Sequence, residues 1–238
     1  MRGLPVSWLA ICGLLACSGT NGEGMRGETS QRREMMVAEQ IERRGVKDPR
    51  VLAAMRKVPR HEFVPAEVQG HAYDDRPLPI GHGQTISQPY IVAFMTEALA
   101  LEGDEKVLEI GTGSGFQAAV LGELAKQVYT IEIVEPLGRN AAEVLKRLGY
   151  DNVKTRIGDG FQGWREEAPF DAVIVTCAPD DVPRPLVDQL ADGGRMIIPV
   201  GPEGKAQQLV LLRKKNGHLT RTESLPVRFV PMTGEAQE

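Results

Sequence analysis

Hydrophobic and polar positions follow two rhythms along this chain. Over residues 31–44, Met35, Val37, Ala38 and Ile41 stand near one helical face, and Gly45 predicts the stop. A second helix is expected from Asp48, with the Asp as N-cap, Pro49 at the first helical position, and Val51, Leu52 and Met55 for burial. From residue 106 the rhythm shortens to apolar, β-rich runs at 107–110, 128–132, 153–157, 171–176 and 195–200, with helical stretches at 117–125 and 136–148. The 171–176 run is nearly all apolar, as a parallel strand covered on both faces should be. Runs at 208–213 and 225–230, with Asn216-Gly217 between them, predict antiparallel strands at the sheet edge. The alternation implies a single α/β domain built on a mostly parallel sheet with helices on both faces.

Between the helical flank and this sheet, residues 59–89 obey neither rhythm. Prolines 77, 79 and 89 and glycines 81 and 83 exclude a long helix or a central strand, so an extended, specifically shaped loop is expected. Tyr73, Leu78, Ile80 and Ile86 give it apolar anchors. Ser87 stands where an N-cap should, before a helix over 88–99 with Pro89 in its first turn.

Candidate chemistry concentrates at strand ends. Glu109-Ile-Gly-Thr-Gly-Ser-Gly115 reads as strand end, tight turn and helix start, a place where backbone comes close to a nucleoside ligand. A dinucleotide fingerprint needs a third glycine at position 116, where Phe116 stands, and a phosphate-cradling Gly-Lys-Ser/Thr run is absent. Glu132 ends the next strand 21 residues beyond Gly111, the offset at which an acid reaches ribose hydroxyls. Gly158-Asp159-Gly160 follows the third strand; it reads either as a plain turn or as an adenine contact.

Composition narrows the field. A chain of 238 residues with 42% apolar content supports one sizeable core, and a net charge of −4 makes no electrostatic case for nucleic acid. Three cysteines and four histidines show no ligand spacing, so no metal is expected. Residues 1–24 form a leader distinct from the domain expected over 25–238: an apolar stretch from Val6 to Ala16, then Leu14-Leu-Ala-Cys17, which resembles a bacterial lipoprotein box, then a tether over 18–24. Two readings stay open. Lipidation at Cys17 would anchor the chain in the envelope, whereas a start at Met25 would leave a cytoplasmic protein, the reading favoured by a cofactor made in the cytosol. The catalytic domain itself is not expected to enter a membrane.

The glycine turn resembles motif I of the class I S-adenosylmethionine (AdoMet) methyltransferases. Pro59-Arg-His-Glu-Phe-Val-Pro65, Leu78-Pro-Ile-Gly-His-Gly-Gln-Thr-Ile-Ser-Gln-Pro89 and residues 107–121 together narrow the resemblance to the protein-L-isoaspartate O-methyltransferases. It continues through Phe170-Asp-Ala-Val-Ile-Val-Thr176, Gly193-Gly-Arg-Met-Ile-Ile-Pro-Val-Gly201 and Leu225-Pro-Val-Arg-Phe-Val-Pro-Met232, and covers residues 35–233. The resemblance implies a Rossmann-like fold with an antiparallel C-terminal edge. It also implies AdoMet as cofactor and isoaspartyl-containing proteins and peptides as partners, with action as a monomer. Residue by residue, it implies Ser87 as the active-site residue; Thr85, Ile86, Glu109, Gly111, Thr112, Gly113, Ser114, Gly115, Glu132, Asp159 and Gly160 at the cofactor; and Ile80, Gln84, Val230 and Thr233 at the substrate. Animal members carry a histidine five positions after the serine; Val92 stands there, and no role of that histidine transfers.

Two other functions fit parts of the pattern. One is a class I methyltransferase with a small acceptor, which the Gly83-Gln-Thr-Ile-Ser-Gln-Pro89 segment argues against. The other is a lipid-anchored relative without catalysis, which Cys17 favours and the intact glycines, Glu132, Asp159 and Ser87 disfavour.

Overall fold

A computed structural model describes residues 20–237; Cys17 and the apolar stretch before it lie outside them. Helix α1 spans Thr20–Met35, so residues 20–24, expected as a tether, are helical and continuous with the flank. The helix runs on through a π-helical segment, Met36–Ile41, and a 3-10 turn, Glu42–Arg44, and stops at Gly45 with φ 103°. The wider winding shifts the buried stripe. Met36, Val37 and Ile41 are buried, while Met35, expected on that face, is 57% exposed.

Helix α2 (Pro49–Lys57) starts as its sequence dictates: the Asp48 side chain accepts the Arg50 N–H, Pro49 occupies the first turn, and Val51, Leu52, Ala54 and Met55 are buried. The following loop contains an element that its prolines conceal. Strands β1 (Leu78–Gly81) and β2 (Gln84–Ile86) form a two-stranded antiparallel hairpin around a turn at His82 and Gly83. Helix α3 (Pro89–Ala98) has Gln88, not Ser87, as its N-cap, and no side chain bonds the cap. Pro89 explains the displacement, because it forces the residue before it into an extended backbone, and Gln88 adopts ψ 136°.

The core is a seven-stranded sheet. Strands β3 (Lys106–Ile110), β4 (Gln127–Glu132), β5 (Val153–Ile157) and β6 (Phe170–Val175) run parallel, as does the inner pairing of β7 (Leu190–Val200) with β6. Strands β8 (Gln207–Lys215) and β9 (His218–Val227) complete an antiparallel edge, and the order is β5-β4-β3-β6-β7-β8-β9. This is the expected fold class. One prediction within it is displaced: the last strand starts directly after the Asn216-Gly217 turn and ends at Val227, so the chain has left the sheet by residues 228–230.

Alternation along the strands divides the core into two layers. Val107, Val128, Ala172 and Leu209 face a layer containing the π-helical segment Met36–Ile41, α2, α3, α4 (Phe116–Gly122) and α5 (Glu135–Arg147). Leu108, Tyr129, Val173 and Val210 face the other layer, which is thinner and is closed by the short helix α6 (Arg184–Asp188) with Phe161 and Trp164. At about 25 cal/mol per Å² of apolar area, these two layers supply the main stabilisation, and they hold the strand ends in one rigid row. Ile110 lies in register with Ile131 and Val175. The chain order reverses between β4 and β6 on either side of β3, and an open α/β sheet binds ligands at such a reversal.

Candidate active site

The glycine turn after β3 is locked from three sides. The Gly111 and Thr112 N–H groups donate to the Ile131 carbonyl at 2.9 and 3.2 Å, and the Thr112 and Thr130 hydroxyls meet at 2.6 Å. The Thr176 hydroxyl, at the end of β6, lies 3.0 and 2.7 Å from the Ile110 and Gly111 carbonyls. Gly111 has φ 95°, and a Cβ there would sit 2.5 Å from Thr176 Oγ1, so the neighbouring strand end by itself requires glycine.

Glu132 is 5% exposed, and its carboxylate accepts the Gly113 N–H at 2.7 Å and the Val134 N–H at 2.9 Å. Each oxygen retains a further acceptor site. Glu109 lies one layer below, fully buried, with neither carboxylate oxygen hydrogen-bonded. Burial, with the nearby charge of Glu132 as a lesser cause, pushes its pKa up to about 8. Burial pushes the Cys177 thiol up to about 12, so it is no nucleophile at neutral pH.

The strand ends line an open cleft of about 800 Å³, its solvent-filled mouth included. Thr112, Gly113 and Ser114 come from the first turn, Glu132 from β4, Gly160 from beyond β5, Thr176 and Cys177 from just beyond β6, and Gln84 to Ser87 from the hairpin and the residue after it. Residues 230–233 form the remaining wall. Ala178 pairs with this segment through Val230 and Met232, at 2.8 and 2.9 Å, and Gln207 Oε1 accepts the Phe229 N–H at 2.8 Å.

A second cleft of about 1370 Å³ lies beyond the hairpin, between Arg44, Gln88 and residues 225–230. Thr85, Ser87, Thr176 and Val230 line both. The two clefts therefore share a wall at these four side chains. Among the described residues the Ser87 hydroxyl has no hydrogen-bond partner in the protein, which leaves it free to meet a ligand at that junction.

The structure thus brings Gln84, Thr85, Ile86, Ser87, Gly111, Thr112, Gly113, Ser114, Glu132, Gly160, Val230 and Thr233 to the first cleft. Four expected residues stand behind it. Glu109 is buried under the turn; Gly115 caps α4 and packs against Ala141 and Leu145; Ile80 backs Gly113. Asp159 holds the tail, accepting the Phe161 N–H at 2.9 Å and the Glu235 N–H at 2.8 Å. Lining residues that sequence reasoning passes over include Phe116, Gln117, Ile133, Thr176, Cys177 and Met232. Thr176 was within reach, because it ends a readable strand. Behind Phe116 stands Arg60, wholly buried, its Nε donating to the Ala72 carbonyl at 2.7 Å and its guanidinium 5.0 Å from the ring centre.

Charge decides what the first cleft accepts. Among the described residues lining it, Glu132 is the one with a charge, and no lysine or arginine is present to neutralise a phosphate. A pyrophosphate would meet a carboxylate there, whereas a nucleoside carrying a sulfonium and an ammonium would be attracted. The residues present fit AdoMet.

Fold and cleft together define a Rossmann-like class I methyltransferase. More narrowly, the chain belongs to the protein-L-isoaspartate(D-aspartate) O-methyltransferase family, whose model matches residues 31–237. It is 56% identical over 227 residues to the protein-L-isoaspartate O-methyltransferase of Opitutus terrae, covering 95% of this chain and 97% of that one. With a protein-L-isoaspartate O-methyltransferase 1 of Cupriavidus necator it shares 52% over 242 residues, covering 98% and 92%. A solved protein-L-isoaspartate O-methyltransferase superposes with a TM-score of 0.78 at 30% identity, over 87% of this chain and 67% of that one. A candidate protein-L-isoaspartate O-methyltransferase from Plasmodium falciparum, in complex with S-adenosyl-L-homocysteine, gives 0.73 at 28% identity, over 84% and 98%.

Proposed function

We propose that this chain esterifies the free α-carboxyl of L-isoaspartyl residues in damaged proteins and peptides, with AdoMet as methyl donor. The observation that carries the reading is the shared wall of the two clefts. A donor in the first and an extended peptide in the second would meet at Thr85, Ser87, Thr176 and Val230.

Bound in the first cleft, AdoMet supplies an activated methyl group on a sulfonium. Glu132 would accept from the ribose hydroxyls while holding Gly113 in place, and Thr112 and Ser114 would border the same nucleoside. Asp159, bonded to Phe161 and Glu235, would act from behind the cleft by holding the tail, and its neighbour Gly160 would border the adenine. Gln84 and Thr233, expected at the substrate, line the first cleft and would border the donor, while Val230 on the shared wall would meet the peptide; Ile80 backs Gly113.

The acceptor carboxylate is already ionised at neutral pH, so no general base is needed. Ser87 would donate a hydrogen bond to the carboxylate oxygen that does not react and so fix the other oxygen in line. The following main-chain amide nitrogen can then attack the ester carbonyl, expelling methanol and leaving a succinimide whose hydrolysis returns part of the residue to aspartate.

One chain completes both clefts, which favours action as a monomer. Residence in the cytoplasm follows from the supply of AdoMet there. Mass spectrometry of an isoaspartyl peptide tests the function: a methyl gain followed by its loss with conversion to aspartate is expected. An unaltered peptide in the presence of bound AdoMet would refute the reading.

A further inference from the structure

The charges of the second cleft are one-sided. In a chain of net charge −4, the charged side chains lining this cleft among the described residues are two arginines, Arg44 and Arg228. They differ in how they are held. Arg44 Nη1 bonds Asp75 Oδ2 at 3.0 Å, and the guanidinium lies 3.6 Å from the centre of the Tyr90 ring, so its charge is offset by a paired carboxylate. Gln88 fixes the same aspartate, its Nε2 reaching Oδ1 at 2.8 Å. Arg228 is exposed and makes no ion pair among the described residues. It projects from the 225–230 segment, two residues before the Val230 that reaches the shared wall.

The methyl transfer as proposed above uses neither arginine. The cleft continues well beyond Ser87, with room for residues flanking the reacting one, and those residues would meet a positive field whose main unneutralised source is Arg228. We infer that the second cleft selects isoaspartyl segments by charge, taking those with acidic flanks ahead of those with basic flanks. The inference rests on the isoaspartyl reading and deepens it. Because Arg228 is exposed, the preference is electrostatic and screened by salt, acting on capture of the peptide rather than on the chemical step.

The test uses the full chain, AdoMet and three peptides alike except at the second position on each side of the isoaspartate, which is Glu, Gln or Lys. At low ionic strength KM should rise in the order Glu, Gln, Lys, with about tenfold between the extremes and a common kcat, and the spread should collapse in high salt. Arg228→Glu should invert the order of KM among the three peptides. Equal KM values for the three peptides would overturn the inference and leave the isoaspartyl reading intact. So would an Arg228→Glu variant that loses the same factor on all three, because Arg228 would then serve the reacting carboxylate. No methylation of the Gln peptide would overturn the isoaspartyl reading and this inference with it.

Discussion

The carboxylate of Glu132 holds the backbone N–H of Gly113 at 2.7 Å. The acid expected to read a ribose is thereby also the clamp that shapes the turn beneath it. With the Val134 N–H it makes two charge-assisted bonds, each worth roughly 1.5–3 kcal/mol when buried. Glu132→Ala should lower the melting temperature and weaken AdoMet binding by at least about tenfold, and Glu132→Gln should fall between it and the parent, because an amide can still accept one of the two bonds. Calorimetric titration beside a thermal melt checks both. Unchanged stability with lost binding would remove the clamp from the explanation.

Ser87 is the converse case. It caps no helix and its hydroxyl has no partner in the protein, so Ser87→Ala should leave the melting temperature and the AdoMet affinity unaltered. Loss of one hydrogen bond to a carboxylate should lower kcat roughly 10- to 100-fold. A fall in stability as large as the fall in rate would mean that its role is structural.

Gly111 and Thr176 are coupled through space. Gly111→Ala would incur roughly 1–2 kcal/mol for an alanine at positive φ, and its Cβ would overlap Thr176 Oγ1, 2.5 Å away. Thr176→Ala removes the overlap and leaves the backbone cost. The double variant should therefore be more stable than the sum of the single losses predicts, by chemical denaturation. Strict additivity would contradict this packing.

Glu109 sets a pH dependence. Its folded pKa of about 8 lies above the ordinary 4.5. Between those values the folded chain holds a proton that the unfolded chain releases, so stability falls as pH rises through this window. Glu109→Gln should flatten that fall, with a difference on the order of a few kcal/mol between pH 5 and 8. Parallel pH profiles for parent and variant would contradict the buried, unpaired carboxylate.

Much of the parallel sheet and of the first cleft is legible in the sequence, and the physical reason is the same for both. Strands buried on two faces must be apolar throughout, and a parallel sheet presents its ligand at their carboxyl ends, so Glu132 and the glycine turn can be located from pattern alone. What escapes is set by contacts distant in sequence. Strand β9 carries mostly polar, exposed residues over His218–Glu223, so periodicity misses it. The bond from Asp159 to Glu235 spans 76 residues. Met36 rather than Met35 enters the core where the chain winds as a π-helix, and that winding has no sequence signature of its own. The junction at Thr176 and Val230 exists only once β6 and the C-terminal segment are side by side.

The most direct measurement supplies the full chain with methyl-labelled AdoMet and two peptides that are identical except at one position, L-isoaspartate in one and aspartate in the other. Base-labile label on the isoaspartyl peptide alone is the expected result. Equal label on both, or label on neither while AdoMet remains bound, would contradict the proposed function.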